Sequence, residues 1–96
     1  MAVRELVNRK RRQIVRVASS HGGLSVRVFG SAARGDTKPG SDVDILLRLE
    51  PGRTLLDLVA IKQDLEDLLG CSVDVLTEAA ISPYIREQVL KEAISL

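Results

Sequence analysis

Two aspartates, Asp42 and Asp44, stand two residues apart in the run DVDILLRL, whose β-branched and aliphatic residues predict a strand over residues 42–49. Side chains alternate along a strand, so both carboxylates project from one face while Val43 and Ile45 turn toward the other. Two like charges about 4 Å apart repel by roughly 4 kcal/mol at an effective dielectric near 20, a repulsion that a divalent cation would resolve. A third acid, Asp74, lies between Val73 and Val75 in CSVDVL, a strand predicted over residues 71–76, where a charge is unwelcome unless paired or ligating. If these strands are neighbours, the three carboxylates converge. Hard oxygen ligands on a rigid sheet suit Mg²⁺, and equally Mn²⁺, with the remaining ligands supplied by water and substrate phosphates. Two such ions, about 3.5 to 4 Å apart, stabilise the attacking and leaving oxygens of a phosphoryl displacement.

The segment ahead of these acids has the makings of a phosphate cradle. Gly30 and Ser31 directly follow a strand predicted over residues 25–29, so the glycine permits close backbone approach and the next amides can hold a phosphate. Ser31 adds a hydroxyl, and Ser41, next to Asp42, is a further phosphate-binding candidate. Arg34 offers a guanidinium fork and Lys38 a more mobile point charge for neutralising phosphate. Gly30, Gly35, Pro39 and Gly40 break residues 30–41 into a structured loop with room for one helical turn at residues 31–34.

The elements that must position these groups follow from periodicity. Leu6, Val7, Ile14, Val17 and Ala18 predict one helix over residues 4–21, stopped by Gly22 and Gly23. Thr54 with Asp57 three residues on, an apolar face of Leu55, Leu58, Val59, Leu65, Leu68 and Leu69, and a closing Gly70 mark a second helix. Ser82 and Pro83 open a third, with Ile85, Val89, Leu90 and Ile94 as its apolar stripe. The order is helix, strand, loop, strand, helix, strand, helix. It predicts an α/β (α+β) fold, a small sheet covered on one face by helices with the other face free for chemistry.

GSAARGDTKPGSDVD resembles the signature of the nucleotidyltransferases of the DNA polymerase β-like superfamily: Gly-Ser, ten residues, then Asp-x-Asp, matched by Gly30, Ser31, Asp42 and Asp44. The resemblance runs over essentially all of residues 1–96, with Asp74 as third acid and SPYIREQVLKEA as terminal helix. It implies the polymerase β-like palm fold in one minimal nucleotidyltransferase domain. It further implies that Gly30 and Ser31 hold the triphosphate, that Asp42 and Asp44 ligate both metals, and that Asp74 helps activate the acceptor hydroxyl. Larger relatives carry an additional domain that holds the acceptor; residues 1–96 show none, so the acceptor is expected to bring its own surface. The family most similar is the minimal nucleotidyltransferase antitoxins. That likeness implies a HEPN-domain ribonuclease toxin as partner, ATP as donor, and adenylylation of a toxin tyrosine. Neutralisation by binding alone and transfer to a small molecule stand as the alternatives.

Composition is consistent with this and excludes little else. The 96 residues are 45% hydrophobic and 28% charged, enough for one core, and so short a chain gains from a partner surface. A net charge of +1 and 2% aromatic residues give neither the field nor the stacking platform for direct nucleic-acid binding, so Arg9, Lys10, Arg11 and Arg12 read as a solvated helix face. No leader-like or membrane-length apolar run appears, which makes a cytoplasmic protein the expectation. Cys71, the lone cysteine, reads as a small core residue, His21 as a cation at a helix end, and Tyr84 as a packing residue.

Overall fold

The helix best marked in the sequence has the best-fixed ends. The Thr54 hydroxyl accepts the Leu56 N–H at 3.2 Å, the Asp57 carboxylate accepts the Thr54 N–H at 3.0 Å, and Gly70 closes the helix in the left-handed region at φ 69°. In this computed structural model, which describes residues 3–30 and 43–96, that helix is α3 (Leu55–Leu69). Before it come α1 (Val3–Arg9), α2 (Arg11–Ser20), β1 (Gly23–Phe29) and β2 (Val43–Leu49). After it come β3 (Val73–Thr77), a 3₁₀ turn (Glu78–Ala80), α4 (Pro83–Glu92) and β4 (Ile94–Ser95).

The four strands form one mixed sheet in the order β3-β2-β1-β4, parallel between β2 and β3 and antiparallel elsewhere. Alternation sorts its faces. Val26, Val28, Val43, Ile45, Leu47 and Val73 join Val7, Ile14 and Ala18 of α1 and α2 and Ile61, Leu65 and Leu69 of α3 in the core. The predicted α/β class with helices over one face is therefore the fold of the chain.

Several expectations need correction. The first helix is two, because the chain breaks at Lys10, whose ammonium donates to the Leu68 carbonyl at 2.9 Å; Arg11 likewise reaches Ser95 O at 2.9 Å. Half of the basic run thus anchors α3 and β4 instead of lying idle in solvent. On α3 the buried stripe is Ile61, Leu65 and Leu69, while Leu55 is 73% exposed and Val59 is exposed too. Counting apolar residues weighted the first turn, whereas the sheet is met by the second half of the helix. The stripe expected on the last helix is not buried: no residue of α4 is, Tyr84 is 97% exposed, and Ile94 belongs to β4, a strand too short to be signalled. Cys71 is half-buried and packs against the core. His21 caps α2 and places Nε2 3.0 Å from Asp64 Oδ2, tying α2 to α3.

Asp57 shows how local the capping is. Its bond from the Thr54 backbone, opposed by slight burial and aided by Arg53, holds its carboxyl below the ordinary 3.8. A depressed folded-state pKa contributes stability above the unfolded value and loses it as pH falls through the folded one. The advantage of the native protein over Asp57→Asn, measured by urea unfolding, should be full at pH 6 and shrink progressively as the pH falls below the ordinary 3.8 and through the lowered folded-state value. In the same assay Ile61→Ala should cost about 3 kcal/mol, the scale of emptying a fully buried position, and Leu55→Ala under about 0.5 kcal/mol.

Candidate active site

Parallel pairing sets Asp44 directly beside Asp74, with Val43 against Val73 and Ile45 against Val75 on either side. Neighbouring strands lie about 4.8 Å apart, so the two carboxylates rise from adjacent positions on the face turned away from α1–α3. Asp44 also sits opposite Phe29, the last residue of β1, which brings the following residue, Gly30, over it. Gly30 has φ 69°, and a Cβ there would run into Asp44 Oδ2. Glycine is therefore required twice: for the left-handed backbone and to leave the carboxylate its place.

That face is only partly open. Leu46, between Asp44 and Arg48, is fully buried, and Ile81 nearly so, because the Glu78–Ala80 turn packs against β2. Glu78 Oε1 lies 3.0 Å from Arg27 Nη1, pinning the turn to β1. At the end bearing the two acids the Asp74 side chain is 60% exposed. Since β3 is an edge strand, the Asp74 charge sits in water, and its position in the strand is not by itself a sign of ligation. At the opposite end of β2 and β3 lies a groove of about 410 Å³ lined by Arg48, Leu49, Thr77, Glu78, Ala79 and Arg86, a feature with no signal in the sequence.

Of the residues singled out from the sequence, Gly30, Asp44 and Asp74 are brought together. Ser31, Arg34, Lys38, Ser41 and Asp42 lie outside the described residues. Among the described residues no group of three or more His, Cys, Asp or Glu side chains could hold a metal; the oxygen donors number two, Asp44 and Asp74. As hard, anionic ligands on adjacent rigid strands they fit a hydrated divalent cation that takes its other ligands elsewhere. Lys62, 3.9 Å from Asp74, and Glu66, which accepts the Val73 N–H, were not anticipated. Their i, i+4 spacing on a helix leading into the acid-bearing strand was the available clue.

Comparison with known proteins adds to this geometry. Residues 9–96 match the nucleotidyltransferase domain family. A "putative protein adenylyltransferase" of Methanocaldococcus jannaschii is 41% identical over 90 residues, spanning 94% of this chain and 97% of its own. The protein adenylyltransferase MntA of Thermococcus cleftensis is 38% identical over 73 residues, 76% of this chain and 74% of its own. A solved "putative minimal nucleotidyltransferase" superposes with a TM-score of 0.89 at 46% identity, over 100% of this chain and 97% of that one. A toxin-antitoxin structure with AMP-PNP, at 20% identity and TM-score 0.75 over 88% of this chain and 69% of that one, shares the fold.

Gly30 and Gly52 separate strain from collision. Both have positive φ, but a Cβ at Gly52 meets nothing within 4 Å. Gly52→Ala and Gly30→Ala should each lose about 1 kcal/mol in urea unfolding, the cost of an L-residue in that region. Only Gly30→Ala should also displace Asp44, seen as loss of Mn²⁺-induced broadening of the Asp44 and Asp74 amide signals in NMR spectra.

Proposed function

This chain belongs to the nucleotidyltransferase domain family, and from that premise we propose that it transfers AMP from ATP to a tyrosine hydroxyl of a partner protein, a HEPN-domain ribonuclease toxin that it neutralises in the cytoplasm as the antitoxin. The observation that carries the proposal is the register of Asp44 with Asp74 beside Gly30, on an accessible end of the sheet. Relatives that bear the name protein adenylyltransferase support the choice of nucleotidyl group and of a protein acceptor. Support for the partner comes from toxin-antitoxin structures of the same fold, one solved with AMP-PNP and another of MntA with HpeT.

Residues 1–96 act in this reading as one minimal domain with the following division of labour. Gly30 and Ser31 receive the triphosphate on backbone amides and a hydroxyl, and Arg34, Lys38 and Ser41 neutralise or hydrogen-bond its oxygens. Asp42, Asp44 and Asp74 would hold Mg²⁺, or Mn²⁺, which when bound neutralises charge on the phosphates and the departing pyrophosphate. Asp74, on the edge strand, faces the incoming acceptor and takes the proton from its hydroxyl. The acceptor oxygen then bonds to the α-phosphorus as the bond to the β-phosphate oxygen breaks, so AMP is transferred and pyrophosphate leaves. The partner provides the wall that holds its own hydroxyl in line, which converts binding energy into orientation.

Incubation with the HEPN-domain partner, Mg²⁺ and each of the four nucleoside triphosphates, followed by intact mass of both chains, tests this. Gain of one or more AMP units on the partner with ATP is expected. Asp44→Asn should slow that gain by about a hundredfold or more, the scale of losing a group that stabilises transition-state charge, while leaving the thermal melt in place. A stable complex with no mass change would mean neutralisation by binding alone, and full activity in Asp44→Asn would remove the metal reading.

A further inference from the structure

The residue preceding Asp74 is held in an unusual way for an edge strand. The Ser72 carbonyl accepts the Val43 N–H at 3.0 Å, so Ser72 pairs inward and both backbone polar groups of Val73 face outward, away from β2. Two side chains one turn apart on α3 take them. Lys62 Nζ donates to the Val73 carbonyl at 2.7 Å, and Glu66 Oε2 accepts the Val73 N–H at 3.1 Å. The same ammonium stands 3.8 Å from Glu66 Oε2 and 3.9 Å from Asp74 Oδ1.

Water would satisfy these outward groups equally well, and ion pairs this exposed, with the Lys62 side chain at 43%, add little to stability. What the arrangement changes is Asp74. An acid on an edge strand has a neighbour on one side only, so both the strand and the carboxylate rotamer are loosely determined. Lys62 constrains both at once: its bond to Val73 fixes the backbone one residue upstream, and its charge biases the carboxylate toward one orientation. Misplacement of a reacting or ligating group by about 1 Å costs up to about a hundredfold in rate, so such a constraint has functional weight even where it has little thermodynamic weight.

We propose that Lys62 is a positioning residue for Asp74, setting the third carboxylate beside Asp44 before a cation binds; this rests on the reading of Asp44 and Asp74 as cation ligands. The opposing possibility is specific. A bystander lysine 3.9 Å from a ligand would only repel the ion, so its removal would tighten cation binding.

Mn²⁺ titration of the nucleotide-free protein, followed by electron paramagnetic resonance, separates the two. Positioning predicts at least threefold weaker Mn²⁺ binding in Lys62→Met, recovery to within twofold in Lys62→Arg, and a thermal melt unchanged in both. Glu66→Gln, which loosens the Val73 N–H without touching Asp74, should leave Mn²⁺ binding within twofold of the native protein. With ATP and the acceptor, Lys62→Met should lower kcat about tenfold and leave the KM for ATP within twofold. Tighter or unchanged Mn²⁺ binding in Lys62→Met overturns the proposal, as does a loss in Glu66→Gln equal to that in Lys62→Met, which would make the contact a strand anchor only. If the native protein itself binds Mn²⁺ no better than Asp74→Asn does, the cation reading fails first.

Discussion

Parallel pairing of β2 with β3 is the constraint on which the rest of the structure depends. Antiparallel strands can be joined by a tight turn, but parallel ones need a crossover, and α3 is that crossover. Because it returns the chain in register, Asp44 meets Asp74 and not a neighbour. A shift of one residue would turn Asp74 into the core and Val73 or Val75 out of it. The capping interactions of Thr54, Asp57 and Gly70 set the length of α3, and Ile61, Leu65 and Leu69 set its seat on the sheet. The site is thus specified by groups that never touch it.

Most of the fold could be read from the residues, and the reasons it could are physical. Thr54, Gly70, Ser82 and Pro83 act on bonds within a few residues, so their effects survive in any tertiary context. What could not be read depends on distant partners. The break at Lys10 is recorded by a bond to Leu68, the seat of α3 by contact with a sheet assembled from four other segments, and β4 by pairing with β1 across most of the chain. In the site, Asp44 was legible from alternation and Asp74 from its hydrophobic flanks, although the reason offered for Asp74, a charge in a buried strand, does not apply to an exposed edge. For Lys62 and Glu66 the i, i+4 spacing was the one local clue, and it could not be read as part of the site because nothing in their own segment says which strand their helix will border.

Burial is distributed unevenly, and the distribution matches the division between scaffold and chemistry. The core lies between α1–α3 and one face of the sheet, with β2 at its centre. The other face is closed over Leu46 by the Glu78–Ala80 turn and left accessible at the acids. Two acids on strands anchored from behind are held more firmly than the same acids on loops would be. That firmness is what preorganisation requires of groups whose charge must not rearrange during reaction.

The contacts made by Lys62 and Glu66 at Val73 have a consequence apart from any chemistry. A sheet that ends in an exposed strand presents a row of unpaired donors and acceptors to which a strand of another molecule can add. At Val73 both are already occupied, by side chains that carry charge to the rim. A second molecule approaching along β3 finds no bond to make there and meets an ammonium and a carboxylate it would have to strip of water. The sheet is therefore closed to strand addition at Val73, by side chains and not by another strand.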